Sequence, residues 1–380
     1  MNDLDQISQN TQSSCLILAG EKSGEEHCMS FLPALVSRNP QMTFFGVGGD
    51  EMMTQGFKIL YHLKDFSTFG VTEAIKKLPF YYRAFHSILN EVKTRKCQNA
   101  ILIDFQDFNF RLAQKLTQLG VRVFYYVAPQ AWAWKEFRGQ LLANRVYTLF
   151  CLLSFEKKWF TDRGVKNVIH VEHPLSLKYS SLLKLKPKAE KSQVLRILIL
   201  PGSRNFEVNY LLPIFTSVIK TLKKSKKIHT SIVKSSSVKS INFLSNQFSW
   251  DQEYGPEKLH EALLDADICL AASGTVTLAC ALFQVPTVVC YRGNLLNAFF
   301  FFQFVKYNGF ISLPNLILGK SVFPEFLQDR VTEFNLLRVL QSWVDDDQQL
   351  EKIKQELALI APKLKGDNIE VANYIHENFL

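Results

Sequence analysis

Chemistry in this chain gathers at turns that follow apolar runs. In "LPGSRNFEV" (Leu200 to Val208), Pro201 and Gly202 make the turn, Ser203 offers a hydroxyl and Arg204 projects at the exit. Free N–H groups at a helix start favour an anion, and an arginine fork beside them strengthens phosphate binding. The plainer reading is an ordinary strand-to-helix turn with a surface arginine. In "AASGTVTLAC" (Ala271 to Cys280), Ser273, Gly274 and Thr275 stand between an apolar strand and a helix. Small residues admit a ligand to the backbone, and hydroxyls donate to phosphate oxygens. A simple Ser/Thr helix cap is the alternative. Two such turns in one domain make a diphosphate held between them the economical expectation.

A second group of residues suits a sugar. "ILAGEKSGEEH" brings Gly20, Glu21, Ser23 and Gly24, and "GVGGDEM" brings Gly48 and Gly49. Neither run is G-x-G-x-x-G, so neither points to a dinucleotide. Glycines at two strand ends predict a ligand close to the backbone, with Glu21 placed to accept hydrogen bonds from a polyol or, in the plain case, simply exposed. In "IDFQDFNFRLA", Asp104 and Asp107 fall at a strand end and a helix start. A carboxylate there caps a helix or, at a ligand site, takes a proton from a hydroxyl. "YYVAPQAWAWKEFR" adds Lys135 and Arg138 toward an anionic acceptor, with Trp132 and Trp134 read as packing residues.

These turns need strands to carry them. "CLILAG", "TFFGVGG", "AILIDF", "VRVFYYVA", "YTLFCLL" and "NVIHVEHP" read as buried strands separated by helical stretches, and "LRILIL", "HTSIV", "DICLAA" and "PTVVCY" repeat the scheme. Continuous apolar strands between helices predict parallel sheets covered on both faces. The expected fold is α/β: two Rossmann-like doubly wound domains facing a cleft. The boundaries read as 1–177 for an acceptor-side domain, 178–193 for a lysine- and serine-rich linker, and 194–331 for a nucleotide-sugar domain. C-terminal helices are expected over 332–380, with packing back on the first domain as an option.

Bulk properties narrow the partners. Of the 380 residues 47% are hydrophobic and 21% charged, which excludes a disordered chain. The polar start "MNDLDQISQNTQSS" does not read as a signal peptide, and "AFFFFQFV" is too short to span a bilayer. The formal net charge of +9 suits an anionic partner, but no nucleic-acid motif accompanies it. Seven scattered cysteines without a C-x-x-C pair read as reduced core residues of a cytoplasmic protein, and no metal spacing is present.

Taken in order, "AGEKSGEEH", "GVGGDEM", "GVTEAIKKLP", "IDFQDFN", "YYVAPQAWAWKEFR", "SFEKKWF", "LPGSRNFEV", "ASGTVTLACAL" with "PTVVCYR", and "SLPNLILGKSVFPEFLQ" resemble the lipid-A-disaccharide synthase family. The resemblance runs from about Cys15 to Gln328 and implies the GT-B glycosyltransferase architecture. It implies inverting transfer of 2,3-diacylglucosamine from its UDP derivative to the 6-hydroxyl of 2,3-diacylglucosamine 1-phosphate (lipid X), with no cofactor or metal. Asp107 stands at the aspartate of the family's P-D-F-N motif, which implies the base, with Asn109 beside it in the acceptor site. Gly202, Ser203, Arg204, Ser273, Gly274 and Thr275 would hold the leaving diphosphate, and Asn315, Glu325 and Gln328 match a segment near the donor. Acylated substrates imply work at the cytoplasmic face of an anionic inner membrane. Phe80, Tyr81, Tyr82 and Arg83, in "KKLPFYYRAFHSIL", and Phe300 with Phe301 are the candidate membrane contacts, with core packing as the alternative.

The chain departs from the family pattern at Gln106 for proline, Glu172 for glycine and Ala279 for glutamate. A carboxylate near 279 would hold ribose hydroxyls, so its loss predicts weaker UDP binding, with Glu325 as a candidate substitute. Two other readings stand beside the synthase: a non-catalytic UDP-sugar- or lipid-binding paralogue, and a UDP-N-acetylglucosamine 2-epimerase of the same architecture. Oligomeric state and acyl-chain length are open at this level.

Overall fold

A computed structural model describes residues 13–66, 76–134, 136–184, 194–235, 238, 241, 244, 246–292 and 309–380. The first sheet contains β1 (Ser14–Ala19), β2 (Thr43–Gly48), β3 (Lys58–His62), β4 (Asn99–Ile103), β5 (Arg122–Tyr126), β6 (Thr148–Cys151) and β7 (Val168–His170). Its order is β3-β2-β1-β4-β5-β6-β7, and every neighbouring pair is parallel. The second contains β8 (Leu195–Leu200), β9 (Ile228–Val233), β10 (Gln252–Tyr254), β11 (Ile268–Ala272), β12 (Thr287–Tyr291) and β13 (Glu325–Leu327). Its order is β10-β9-β8-β11-β12-β13, again parallel. Both are doubly wound α/β sheets whose strand order reverses between the first and fourth strands, β1 with β4 and β8 with β11. Ligands of such sheets bind beyond the carboxyl ends of those strands.

The continuous apolar runs divide by alternation. Leu16, Leu18, Ala100, Leu102, Val123 and Tyr125 face one core, which the helices Leu78–Thr94 and Gln106–Gln118 cover. Cys15, Ile17, Ile101, Ile103, Phe124 and Tyr126 face the other, against Lys22–Met29 and Leu32–Arg38. Each strand is buried on both sides, which is why no polar residue interrupts it. In the second sheet Ile197, Ile199, Leu270 and Val288 pack against the helix Asn205–Leu222. All seven cysteines are buried and unpaired.

β3, β10 and β13 lack the apolar signature that marks the other ten strands. They are three of the four edge strands, and their residues are half-buried or exposed, whereas the fourth edge, β7, is buried.

The chain divides into two units, Met1–Pro174 with Gly366–Leu380, and Leu175–Lys365. The stretch expected as a linker is in part a helix, Pro174–Lys184, and buried Tyr179 sets its ring 5.1 Å from that of Phe283; residues 185–193 lie outside the described ones. The C-terminal helices also divide. Leu336, Leu340 and Trp343 of Glu333–Asp345 belong to the second unit's core. Ala372 and Ile375 of Val371–Glu377 complete the first. There Arg122 Nη1 donates to the Asn378 carbonyl at 2.6 Å, and Leu380 N–H donates to Asn99 Oδ1 at 3.0 Å.

Candidate functional site

The turn after β4 is the most constrained backbone of the first unit. Asp104 (φ 47°) and Phe105 (φ 46°) are both left-handed, and Val127 at the end of neighbouring β5 has φ 68°. Each such residue costs on the order of 1–3 kcal/mol and persists only where surroundings enforce it. Asn109 supplies that enforcement: it is fully buried, and Nδ2 donates to the carbonyls of Ile103 at 3.1 Å and Asp104 at 2.8 Å. Tyr125 Oη donates to the Asp104 carbonyl at 3.1 Å. Asn109 was expected to touch the acceptor; the structure instead makes it the brace of the turn.

Behind this turn begins the helix Gln106–Gln118, and Asp107 lies in its first turn. The Asp107 side chain is 71% exposed, so it is open to a substrate, and Oδ1 pairs with Nη2 of Arg138. Arg138 comes from the helix Phe137–Leu142, is buried, and lies over the Phe110 ring at 5.0 Å. The sequence named both residues but did not pair them. Asp104 is half-buried beside Glu21, the exposed residue that precedes the helix Lys22–Met29. Burial first, and the charge of Glu21 second, push its carboxyl up to about 6.

Several expected ligand glycines serve the protein itself. A Cβ on Gly20 would stand 2.7 Å from the Phe105 ring. On Gly48 it would meet Met52 Sδ at 2.6 Å, and on Gly49 the Glu25 carboxylate at 2.5 Å. Glu25 went unnoticed in the sequence: it is buried and accepts the N–H groups of Glu51 at 3.0 Å and Met52 at 3.2 Å. Gly24 is buried, with room for a Cβ at ordinary contact distance, and Ser23 is exposed. Trp132 packs as expected, edge-on to Phe155 at 5.1 Å, and its Nε1 donates to buried Glu156 at 3.0 Å. Burial pushes the Glu156 carboxyl up to about 7. Lys135 and the side chain of Trp134 lie outside the described residues.

Asp107 also stands on the rim of an apolar groove of about 820 Å³. Leu78, Pro79, Tyr81, Tyr82 and Phe85 from one helix line it, with Phe105, Phe108 and Arg111 from the other side. Phe80 and Tyr81 are half-buried. They turn inward, with rings 5.3 and 5.8 Å from that of fully buried Phe66. The exposed apolar face belongs to Leu78 (59%) and Tyr82 (69%), next to exposed Arg83 and Lys76. Phe300 and Phe301 lie outside the described residues. Among the described residues no helix is long and apolar enough to cross a membrane, and no cluster of three or more ligating side chains could hold a metal.

In the second unit the two anion turns follow β8 and β11, the strands at which the order reverses. Gly202 has φ 111°, and a Cβ there would stand 2.5 Å from Glu207 Oε2. Buried Glu207, unforeseen in the sequence, accepts the Ser203 N–H at 3.2 Å and Arg204 Nη1 at 3.1 Å. One N–H group expected for an anion is therefore already taken. Glu207 holds an Arg204 whose side chain is otherwise 62% exposed. On the other turn, Ser273 is half-buried and Gly274 and Thr275 are exposed. A Cβ on Gly274 would meet nothing within 4 Å.

Asn315 and Glu325 bond each other. Glu325 Oε1 accepts from Ser312 N and Oγ and from Asn315 Nδ2, at 2.9, 2.6 and 2.8 Å, and Oε2 accepts from Ile311 N at 2.9 Å. Three of these donors crowd Oε1, so Oε2 of half-buried Glu325 keeps a lone pair. Asn315 is fully buried and also bonds the main chain of Val322 and Phe323. The pair fixes the start of the helix Leu313–Leu318. Gln328 is half-buried with φ 50°. Ala279 is 1% exposed in a helix whose residues 277–282 are all buried, so packing fills that position.

A family model described as lipid-A-disaccharide synthetase matches residues 15–379. The lipid-A-disaccharide synthase of Myxococcus xanthus (strain DK1622) is 31% identical over 333 residues, covering 83% of this chain and 84% of its own. Lipid-A-disaccharide synthase 1 of Legionella pneumophila (strain Paris) is 30% identical over 370 residues, covering 94% and 95%. Among solved structures, an S. aureus MnaA–UDP co-structure matches with a TM-score of 0.60 at 12% identity, covering 96% and 95%. The glycotransferase of kitacinnamycin matches with a TM-score of 0.58 at 10% identity, covering 97% and 99%. At those identities the two structures speak for the fold.

Proposed function

Because the chain belongs to the lipid-A-disaccharide synthetase family, and is thus a UDP-sugar glycosyltransferase of GT-B fold, we propose that its first unit holds the acceptor and its second the donor of one group transfer. The donor is UDP-2,3-diacylglucosamine and the acceptor is the 6-hydroxyl of 2,3-diacylglucosamine 1-phosphate. The products are the β-1,6-linked disaccharide phosphate and UDP. The observation that carries the acceptor assignment is the company of Asp107: an exposed carboxylate, a paired arginine and an apolar groove together. An acylated sugar phosphate has a part for each, namely a hydroxyl, an anionic group and hydrocarbon chains.

Asp107 accepts the proton of the 6-hydroxyl while its oxygen attacks the donor's anomeric carbon from the face opposite the diphosphate. The bond from that carbon to the diphosphate oxygen breaks, the configuration inverts, and the electron pair leaves on UDP. Negative charge grows on the leaving diphosphate in the transition state. Arg204, with the hydroxyls of Ser203, Ser273 and Thr275, is the set of donors that stabilises it. Gly274 leaves open space above its backbone where a phosphate fits. The S. aureus MnaA structure, similar in fold, was solved with UDP.

The acylated substrates place the work at the cytoplasmic face of an anionic inner membrane, which Leu78, Tyr82, Lys76 and Arg83 suit. The family match across nearly the whole chain favours the transferase over an epimerase or a non-catalytic paralogue. Turnover of the two substrates by Asp107→Asn tests the base. Disaccharide formation should fall at least about a hundred-fold while UDP binding, measured by calorimetry, stays unchanged. Near-normal turnover would remove Asp107 from that role.

A further inference from the structure

Arg138 faces Asp107 from a helix that has little hold of its own. Phe137–Leu142 is six residues long, and Ala131–Trp134 before it is four. Helices that short are unstable unless tertiary contacts fix them. Arg138 adds little: among the described residues its buried Nε has no hydrogen-bond partner. Both helices rest on a third, Ser154–Thr161, "SFEKKWFT". At its start Phe155 packs edge-on to Trp132, and buried Glu156 receives the Trp132 indole N–H. One turn on, Trp159 lies so close to Gly139 that a Cβ there would stand 2.7 Å from its ring. Arg163 lies over the same ring at 3.7 Å and reaches Glu136, at the head of the helix of Arg138, at 3.4 Å.

Glu156 is the unusual member of this platform. As a helix cap it needs only the Leu153 N–H, which its Oε2 accepts at 3.2 Å, and glutamates without a cationic partner ordinarily stay in water. Here Glu156 is 3% exposed and turns Oε1 to the indole at 3.0 Å. A carboxylate is costly to bury, and this one is buried where it ties the helix of Trp132 to the platform.

We propose that Glu156, through the Trp132 indole, is a positioning residue that sets the two short helices, and with them Arg138, against Asp107. The proposal rests on the acceptor reading of the first unit. The path is contiguous: Glu156 holds Trp132, the helix of Trp132 touches the helix of Arg138, and Arg138 pairs with Asp107. The titratable and charged groups around Glu156 are Cys151 of β6, with Lys157, Asp367 and His170 beyond it. Burial raises the Glu156 carboxyl from its ordinary 4.5 to about 7, against the Trp132, Leu153 and Leu152 donors that lower it. An ionised carboxylate accepts the indole N–H more strongly than a protonated one, so the hold on Arg138 strengthens as pH rises through about 7. Stability runs the other way. A carboxyl raised above its unfolded value favours the folded state in its protonated form, so its contribution is present below 4.5 and lost as pH rises through about 7.

Trp132→Phe keeps an aromatic ring against Phe155 and removes the N–H, and Glu156→Gln keeps an acceptor without the charge. In steady-state kinetics with UDP-2,3-diacylglucosamine and 2,3-diacylglucosamine 1-phosphate, kcat/KM for the acceptor should fall about ten-fold in both variants. Donor KM should stay at the wild-type value. The wild-type rise of acceptor kcat/KM through about pH 7 should be absent in both. In an Arg138→Ala background, Trp132→Phe should do no further harm, since both act on one contact. Wild-type acceptor kinetics and an unaltered pH rise in Trp132→Phe would overturn the proposal and leave the acceptor reading intact. A lowered Tm with those kinetics unchanged would do the same. Absence of disaccharide with the unmodified protein would overturn both.

Discussion

At the scale of single residues, the structure changes what the glycines and carboxylates are for. The sequence showed carboxylates near turns but not which were available. Glu25, Glu207 and Glu325 spend their oxygens on backbone N–H groups, whereas Asp107 keeps an exposed side chain beside Arg138. The difference follows from burial: a buried carboxylate without donors is costly, so it lies where donors already converge. Gly202 illustrates the same coupling. Its φ of 111° and the 2.5 Å approach to Glu207 bar a side chain. Gly202→Ala should destabilise the second unit by about 1–3 kcal/mol. Urea denaturation checks this, and an unchanged midpoint would mean that the turn relaxes freely.

At the scale of elements, Leu78–Thr94 shows how far an aromatic run can be read. The mixture of aromatics and cations was legible, but the face was not. Helical spacing puts Phe80 and Tyr81 over the buried Phe66 and leaves Leu78 and Tyr82 outside. If this face meets lipid, Leu78→Ser with Tyr82→Ser should lower co-sedimentation with anionic vesicles several-fold. Since both residues are already exposed, thermal stability should hardly move. Co-sedimentation equal to wild type would assign the face to something other than membrane. Edge strands show a related limit. β3, β10 and β13 escape a search for apolar runs because their residues are half-buried or exposed, whereas β7, also an edge strand, is buried and keeps its apolar run.

At the scale of the whole molecule, the chain leaves the first unit at Pro174 and returns to it at Gly366. The return ends in the helix Val371–Glu377, whose Ile375 is fully buried in the core behind β1 and β4. Ile375→Ala should therefore cost about 2–5 kcal/mol in the unit that carries Asp107, although it is distant in sequence from every candidate site residue. A urea unfolding midpoint equal to wild type would contradict that docking. The division expected at 332 falls inside the second unit, and the return comes at Gly366. Composition marks a charged helical tail, and the choice of which sheet it joins rests on complementary surfaces that no local pattern encodes.

The sequence by itself determined the fold class, the repeat of a doubly wound sheet, and the turns that carry Glu21, Asp104, Asp107, Arg204 and Ser273. Those follow from periodicity and turn chemistry, which are local. Only the tertiary structure decided which partners these groups meet. It set Arg138 against Asp107, braced the Asp104 backbone through Asn109 and Tyr125, and engaged Glu207, Asn315 and Glu325 inside the protein. The reason is physical: strand order brings together turns far apart in sequence, and there each buried polar group must find its partner.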